Sequence, residues 1–290
     1  MRRWLRWTVL IVAGMLLACP PPEGGRLAAA LGGSAPDPFA TPRSQGGHVV
    51  YLPLALDASG APTLAGCSLL PADHIWNTPV DALPVHPHSD AYVATIGAEA
   101  HVHADFGSGE WPPGSDRPAA LRAAGTRSQG APIGIPYVSV PASQPAVAVR
   151  FGYADESDPG PYPIPPGAAI EGGPSAEGDR HVLVLERDTC TLYELFDAWP
   201  QADGSWHAGS GAVFRLKGYD LRPEGWTSAD AAGLPIYPGL VRHDEVAAGA
   251  ITHALRFTVE STRRAFVLPA THWASSDDDP DPVSYTHLTL

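Results

Sequence analysis

The chain has 290 residues, with 31 acidic against 18 basic side chains and a formal net charge of −13. That balance argues against nucleic acid and anionic membrane surfaces as partners, since both carry the same sign of charge. Thirty glycines and 32 prolines interrupt the sequence too often for long helices, and they favour short strands joined by turns.

The first residues have the layout of a secretion signal. Arg2, Arg3 and Arg6 precede a mostly apolar run over 8–18 that is too short to span a bilayer, which needs roughly 20 residues. The run ends Leu16-Leu17-Ala18-Cys19, which resembles a bacterial lipobox with Cys19 as the lipid acceptor; ordinary cleavage after Ala35 is the alternative. Residues 1–19 are therefore assigned to the signal. Residues 20–64 are assigned to a tether rich in Pro, Gly and Ala, with 48–52 as a candidate edge strand. At the other end, Val283-Ser284-Tyr285-Thr286-His287-Leu288 reads as a translated sequencing adapter. Residues 283–290 are thus expected to be an artefact, and the domain over 65–282 is expected to lack its natural C-terminus.

Within that domain the spacing predicts a short helix over 89–97 with Ser89 as N-cap, and a polar surface loop over 110–129. Strands are predicted over 135–140 and 146–153, where β-branched and aromatic residues concentrate. Residues 182–216 read as a three-strand antiparallel meander, its second turn marked by Asp203-Gly204. A long loop over 219–242 and a helix over 244–248 follow, then a strand pair over 251–260 and 264–269. The expected fold is all-β: an antiparallel, jelly-roll-like sandwich. Outside the cytoplasm, Cys67 and Cys190 are expected to pair, tying the start of the domain to a central strand. Closing a loop of roughly a hundred residues or more is worth on the order of 4–5 kcal/mol.

Three segments carry candidate chemistry. In extended backbone, His101, His103 and Asp105 share a face and could hold a divalent metal, zinc or calcium. In a strand over 251–260, His253 would share a face with Ile251, Leu255, Phe257 and Val259, as a core histidine or a tuned acid or base. Asp179 and His181 sit at the mouth of the first meander strand, with His181 on the face of Leu183 and Leu185. Asp230 and Glu245 lie in and beside the long loop, where function often resides. Glu245 could equally complement a helix dipole. Asp155-Glu156-Ser157-Asp158 lacks the glycine and closing glutamate of an EF-hand and reads as a solvated acidic turn. No nucleophile elbow, P-loop, dinucleotide fingerprint or His-Glu-x-x-His motif occurs.

Several segments together resemble a group of uncharacterised secreted bacterial β-rich proteins, over residues 67–280. They include Ile75-Trp76-Asn77-Thr78, His103-Ala104-Asp105-Phe106-Gly107, Glu156-Ser157-Asp158-Pro159-Gly160-Pro161-Tyr162, Asp179-Arg180-His181, Ser228-Ala229-Asp230-Ala231-Ala232-Gly233-Leu234-Pro235 and His253-Ala254-Leu255-Arg256-Phe257. The resemblance implies no reaction, and it does not reach His101.

Two readings follow. One is an exported carbohydrate-active protein that binds an extracellular polysaccharide and, if an enzyme, hydrolyses or eliminates it. Trp76, Trp111, Trp206 and Trp226 would stack on sugars, and Arg256 would contact substrate. Asp179, Asp230 and Glu245 are candidate carboxylates, and His181 or His253 a candidate base. The other is a non-catalytic surface or adhesion module, touching the membrane only through a lipid on Cys19.

Overall fold

The computed structural model describes residues 61–100, 134–257, 259, 261–273, 275–278 and 284–285. The all-β class is observed. Its centre is a four-stranded sheet of β3 (Tyr137–Val140), β5 (Val182–Glu186), β6 (Thr191–Phe196) and β9 (Ser210–Arg215), in the order β3-β5-β6-β9. A second sheet holds β4 (Val149–Phe151), β8 (Trp206–Ala208) and β7 (Trp199–Pro200), in the order β4-β8-β7. The small hairpin β1 (Thr63–Leu64) and β2 (Cys67–Ser68) begins the described part. A short parallel pair, β10 (Arg263–Phe266) with β11 (Ser284–Tyr285), ends it, and β11 falls inside the 283–290 tail.

The sheets are not purely antiparallel as a jelly roll would be. β3 runs parallel to β5 and β4 parallel to β8. The segment 141–181 between β3 and β5 supplies the long crossover that a parallel pair requires, and it carries β4 into the second sheet on the way.

The meander is also more divided than its sequence suggests. β6 pairs with β9, whereas β7 pairs with β8, so one long hairpin is shared between two sheets. The break falls at Asp197, with φ +50°, and opposite it at Gly209. A Cβ on Gly209 would lie 2.7 Å from the Phe196 ring, so only glycine lets the strands close at this corner.

Every residue of β5 is buried, which means both faces of the central sheet are covered. Register places Val182, Val184 and Leu195 on one face, where they pack with Tyr162, Ile164, Trp206 and Ala208 under the second sheet. Leu183, Leu185, Leu192 and Phe214 form the other face. That face is covered by the segment around Cys67–Trp76 and by the long loop, whose Ala229, Leu234 and Ile236 enter the same core. The Cys67–Cys190 disulfide forms as expected, with Cα atoms 5.5 Å apart, and it joins β2 to the turn that opens β6.

Two α-helices are present among the described residues. α1 (Ser89–Ile96) starts one residue earlier than predicted, because His88 rather than Ser89 stands at the cap position. α2 (His243–Ala248) closes the long loop. The predicted strand over 251–260 does not form in its described part. Residues 251–257 are irregular and are anchored by Ala254 N–H to Trp76 O at 2.6 Å and by Arg256 N–H to Gly239 O at 2.8 Å. The apolar alternation in the sequence does not become alternating burial, since the neighbours His253 and Ala254 are both buried, and among the described residues no strand pairs with the segment.

Candidate functional site

The loop-covered face of the sheet gathers the charged residues. His181 extends the β5 register onto this face, and Glu194 of β6 sits on it between Leu192 and Phe196. Glu194 is fully buried, and its two oxygens each accept a backbone N–H of the long loop, from Ile236 and Tyr237, both at 2.8 Å. Burial pushes its carboxyl up to about 7, against the pull of these two donors and of His181.

His181 is buried and faces an oxygen acceptor at each ring nitrogen. Nδ1 donates to Glu171 Oε2 at 2.6 Å and Nε2 to Ala229 O at 3.2 Å, so only the doubly protonated ring satisfies both. Burial opposes that charge, yet the Glu171 carboxylate outweighs it and raises His181 to about 9. Burial likewise opposes ionisation of Glu171, but the charge and hydrogen bonds of His181 hold it below its ordinary range. The pair is an imidazolium–carboxylate, buried on the histidine side and partly exposed at Glu171, that pins the loop at Ala229.

Asp230 is buried in the long loop. Its Oδ2 accepts Ala232 N–H at 3.0 Å, and its Oδ1 takes Arg256 Nε at 3.0 Å and Nη2 at 2.8 Å. The loop's shape is fixed by its own polar atoms: Ser228 Oγ donates to Leu234 O at 2.6 Å and accepts Asp230 N–H at 2.9 Å. Gly233, at φ +76°, is needed where a Cβ would lie 2.1 Å from Thr271 Oγ1 and 2.6 Å from Trp226 O.

Asp179 stands at the same end of the sheet. Its carboxyl is partly exposed and, among the described residues, makes no side-chain hydrogen bond. Burial raises it to about 6, with Glu171 and Asp230 adding to the rise while His181 and Arg256 pull the other way. Asp179, His181, Asp230 and Arg256 are thus brought together, joined by Glu171 and Glu194, which the sequence reading did not nominate. Glu194 left a readable signal, a carboxylate at the midpoint of an otherwise apolar period-2 face. Glu171 left none, lying in a Gly- and Pro-rich stretch without period.

The other nominated residues fall elsewhere. His253 and Glu245 pair with each other, Nε2 to Oε1 at 2.8 Å, while His253 Nδ1 faces Ala254 O at 2.7 Å and Arg242 holds the same carboxylate. Glu245 is the third residue of α2, and its Oε2 accepts the Arg242 N–H at 2.9 Å, capping the start of the helix. With both ring nitrogens of each histidine committed inside the fold, neither His181 nor His253 is placed to act as a base.

Trp76 and Trp206 are core residues, 2% and 6% exposed, so their rings are closed to a sugar. Trp226 is partly exposed, with the Arg222 guanidinium 5.4 Å from its ring. A tryptophan not nominated from sequence, Trp199, is 43% exposed and backed at 3.6 Å by the buried Arg180 guanidinium. It stands two residues beyond Asp197, whose N–H donates to Asp179 O at 2.7 Å.

The acidic run 155–158 is not a solvated turn. Asp158 Oδ2 accepts Val213 N–H at 2.8 Å and pairs with Arg222 at 2.5 Å, and Ser157 Oγ accepts Gly211 N–H at 3.2 Å. The run clamps the long loop to β9. Cys19, His101, His103, Asp105 and Trp111 lie outside the described residues. Among the described residues, no three His, Cys, Asp or Glu side chains are grouped as ligands for a metal. Nor is any described helix long and apolar enough to cross a membrane. Comparison of this chain with protein-family models, with curated proteins and with solved structures finds no match.

Proposed function

We propose that this is an exported carbohydrate-active protein that binds an extracellular polysaccharide and hydrolyses it with Asp179 as the proton donor. The observation that carries the reading is the isolation of that carboxyl. Of the four carboxyls gathered at this end of the sheet, the other three are committed to hydrogen bonds, while Asp179 makes none among the described residues and is partly exposed. A carboxyl raised to about 6 is protonated often enough near neutral pH to donate to a glycosidic oxygen. Asp230, paired with Arg256, is the second carboxylate nominated for such chemistry. Among the described indoles, Trp199 is exposed and Trp226 partly exposed. Elimination is the weaker version of this reading, because it needs a free base and both histidines are engaged. The disulfide is compatible with an extracellular location.

The test is incubation of the full chain with neutral and acidic polysaccharides, reading binding and new reducing ends. Turnover is expected to fall as pH rises through about 6, since the acid must be protonated. Asp179→Asn is expected to abolish turnover while leaving thermal unfolding unchanged. Turnover undiminished in that variant overturns the assignment.

A second reading, a non-catalytic surface module, is favoured by one observation. His181, Glu194 and Asp230 each bond the long loop, which makes the network a sufficient fastening in its own right. It predicts glycan binding or adhesion without reducing ends, indifferent to Asp179→Asn.

A further inference from the structure

Glu171 and Asp179 stand at the two ends of one surface loop, and hydrogen bonds fix both ends. Glu171 N–H donates to His181 O at 3.0 Å, and His181 N–H and Nδ1 donate back to Glu171 Oε2 at 3.2 and 2.6 Å. Asp179 precedes His181 by two residues, a reach of at most about 7 Å of chain. Its own carbonyl is held by Asp197 N–H at 2.7 Å. The buried Arg180 closes the loop from inside, its Nη1 donating to Pro174 O at 3.1 Å and to Ala176 O at 2.8 Å. Pro174, Ser175 and Glu177 on this loop are exposed, so the two carboxyls flank a stretch of open surface.

All the hydrogen bonds that Glu171 accepts fall on one of its oxygens. Among the described residues Oε1 accepts none, and the side chain is 27% exposed. Asp230 differs on both counts. Its Oδ1 is taken twice by Arg256 and its Oδ2 by Ala232 N–H, and its side chain is buried. Glu194 is bonded at both oxygens and fully buried. Of the three bonded carboxyls, Glu171 is therefore the one with an oxygen left for a substrate. Burial opposes its ionisation, but the charge and hydrogen bonds of His181 hold it below its ordinary range. Glycoside hydrolysis uses such a pair of unlike carboxyls. Asp179 protonates the leaving oxygen, which keeps the electron pair of the broken C–O bond. The anomeric carbon becomes positively charged, and a carboxylate beside it stabilises that charge. The oxygen of a water molecule then bonds the carbon, and the proton it releases restores Asp179.

We propose that Glu171 is the second catalytic carboxylate, with Oε1 facing the anomeric carbon of the polysaccharide in place of the fully bonded Asp230; the inference rests on the hydrolysis reading above. The experiment measures binding and new reducing ends on polysaccharides from dextran to polygalacturonate, for the full chain with Glu171, Glu171→Gln or Glu171→Ala. Gln keeps an amide oxygen for His181 but carries no charge. The expected result for Glu171→Gln is turnover reduced roughly 100-fold or more with binding retained. Sodium azide is expected to restore cleavage to Glu171→Ala. Its nitrogen bonds the anomeric carbon as the glycosidic oxygen leaves with the proton of Asp179, so the product is a glycosyl azide, which the loss of a merely structural tie would not yield. If Glu171→Ala fails to fold, Glu171→Gln alone decides. Glu171→Gln turning over like the wild type, with Asp179→Asn inactive, overturns the inference and leaves the hydrolysis reading standing. Turnover lost together with binding, and not restored by azide, makes Glu171 a structural tie and also overturns it. A wild type that releases no reducing ends overturns the hydrolysis reading, and the inference with it.

Discussion

Glu194 and Leu195 are neighbours on β6 and neither reaches solvent, yet they enter opposite faces of one sheet. Leu195 meets Val182, Ala198 and Trp206 under the second sheet, where strand ladders satisfy the backbone and the side chains have only to fill space. Glu194 meets a loop. A loop laid on a core brings N–H and C=O groups that no ladder satisfies, so something on the sheet has to bond them. Glu194, His181 and Ser210 do so, the last through Ser210 Oγ to Ser228 O at 2.7 Å. The charged network is therefore a consequence of what covers that face, and a partly exposed Asp179 at its edge is where it becomes open to chemistry.

The largest expected effect comes from removing the tie that holds the loop-covered face together. Cys67→Ala with Cys190→Ala should cost on the order of 4–5 kcal/mol in the chain-entropy account of a loop of 123 residues, read as a lowered denaturation midpoint. Next come the two neighbours on β6. Glu194→Ala leaves two buried N–H groups unpaired and should cost about 4 kcal/mol, against about 3 kcal/mol for the cavity left by Leu195→Ala. A Glu194→Ala variant as stable as wild type would remove the distinction between the faces.

A sharper separation lies in pH. The folded carboxyl of Glu194 titrates near 7 against 4.5 when unfolded, so its contribution is fully present below 4.5 and is lost as pH rises through 7. His181 acts in the same sense from 6.5 through about 9. Glu194→Gln should flatten the first of these limbs in a pH series of unfolding curves, while Leu195→Ala shifts the whole curve without changing its shape. The smallest effect is expected at Trp199→Ala, about 1 kcal/mol for the lost cation–π contact with Arg180. A larger loss would place Trp199 among the core residues.

Some of this arrangement could be read from residue order. β5 and β6 announce themselves through Val182-Leu183-Val184-Leu185 and the turn that follows, and the pairing of Cys67 with Cys190 follows from their isolation. The period-2 rule also put His181 on the face of Leu183 correctly. The same rule misled at His253, where an alternating sequence forms no described strand and the neighbours His253 and Ala254 are both buried. Tryptophan count misled at Trp76 and Trp206, since an indole serves a core as readily as a surface. The partners of the site residues were the least visible. Arg256 meets Asp230 across 26 residues and Arg222 meets Asp158 across 64, and no local pattern carries separations of that kind.

The disulfide also fixes how the molecule responds to cleavage. Cys67 and Cys190 enclose β3, β4, α1 and the whole segment between them in one covalent ring. A single peptide-bond cut anywhere inside the ring leaves both products joined, so nicked protein migrates as one species until a reductant is added. A cut in the long loop or beyond releases its fragment at once. Paired reducing and non-reducing electrophoresis therefore tells on which side of Cys190 a protease has acted.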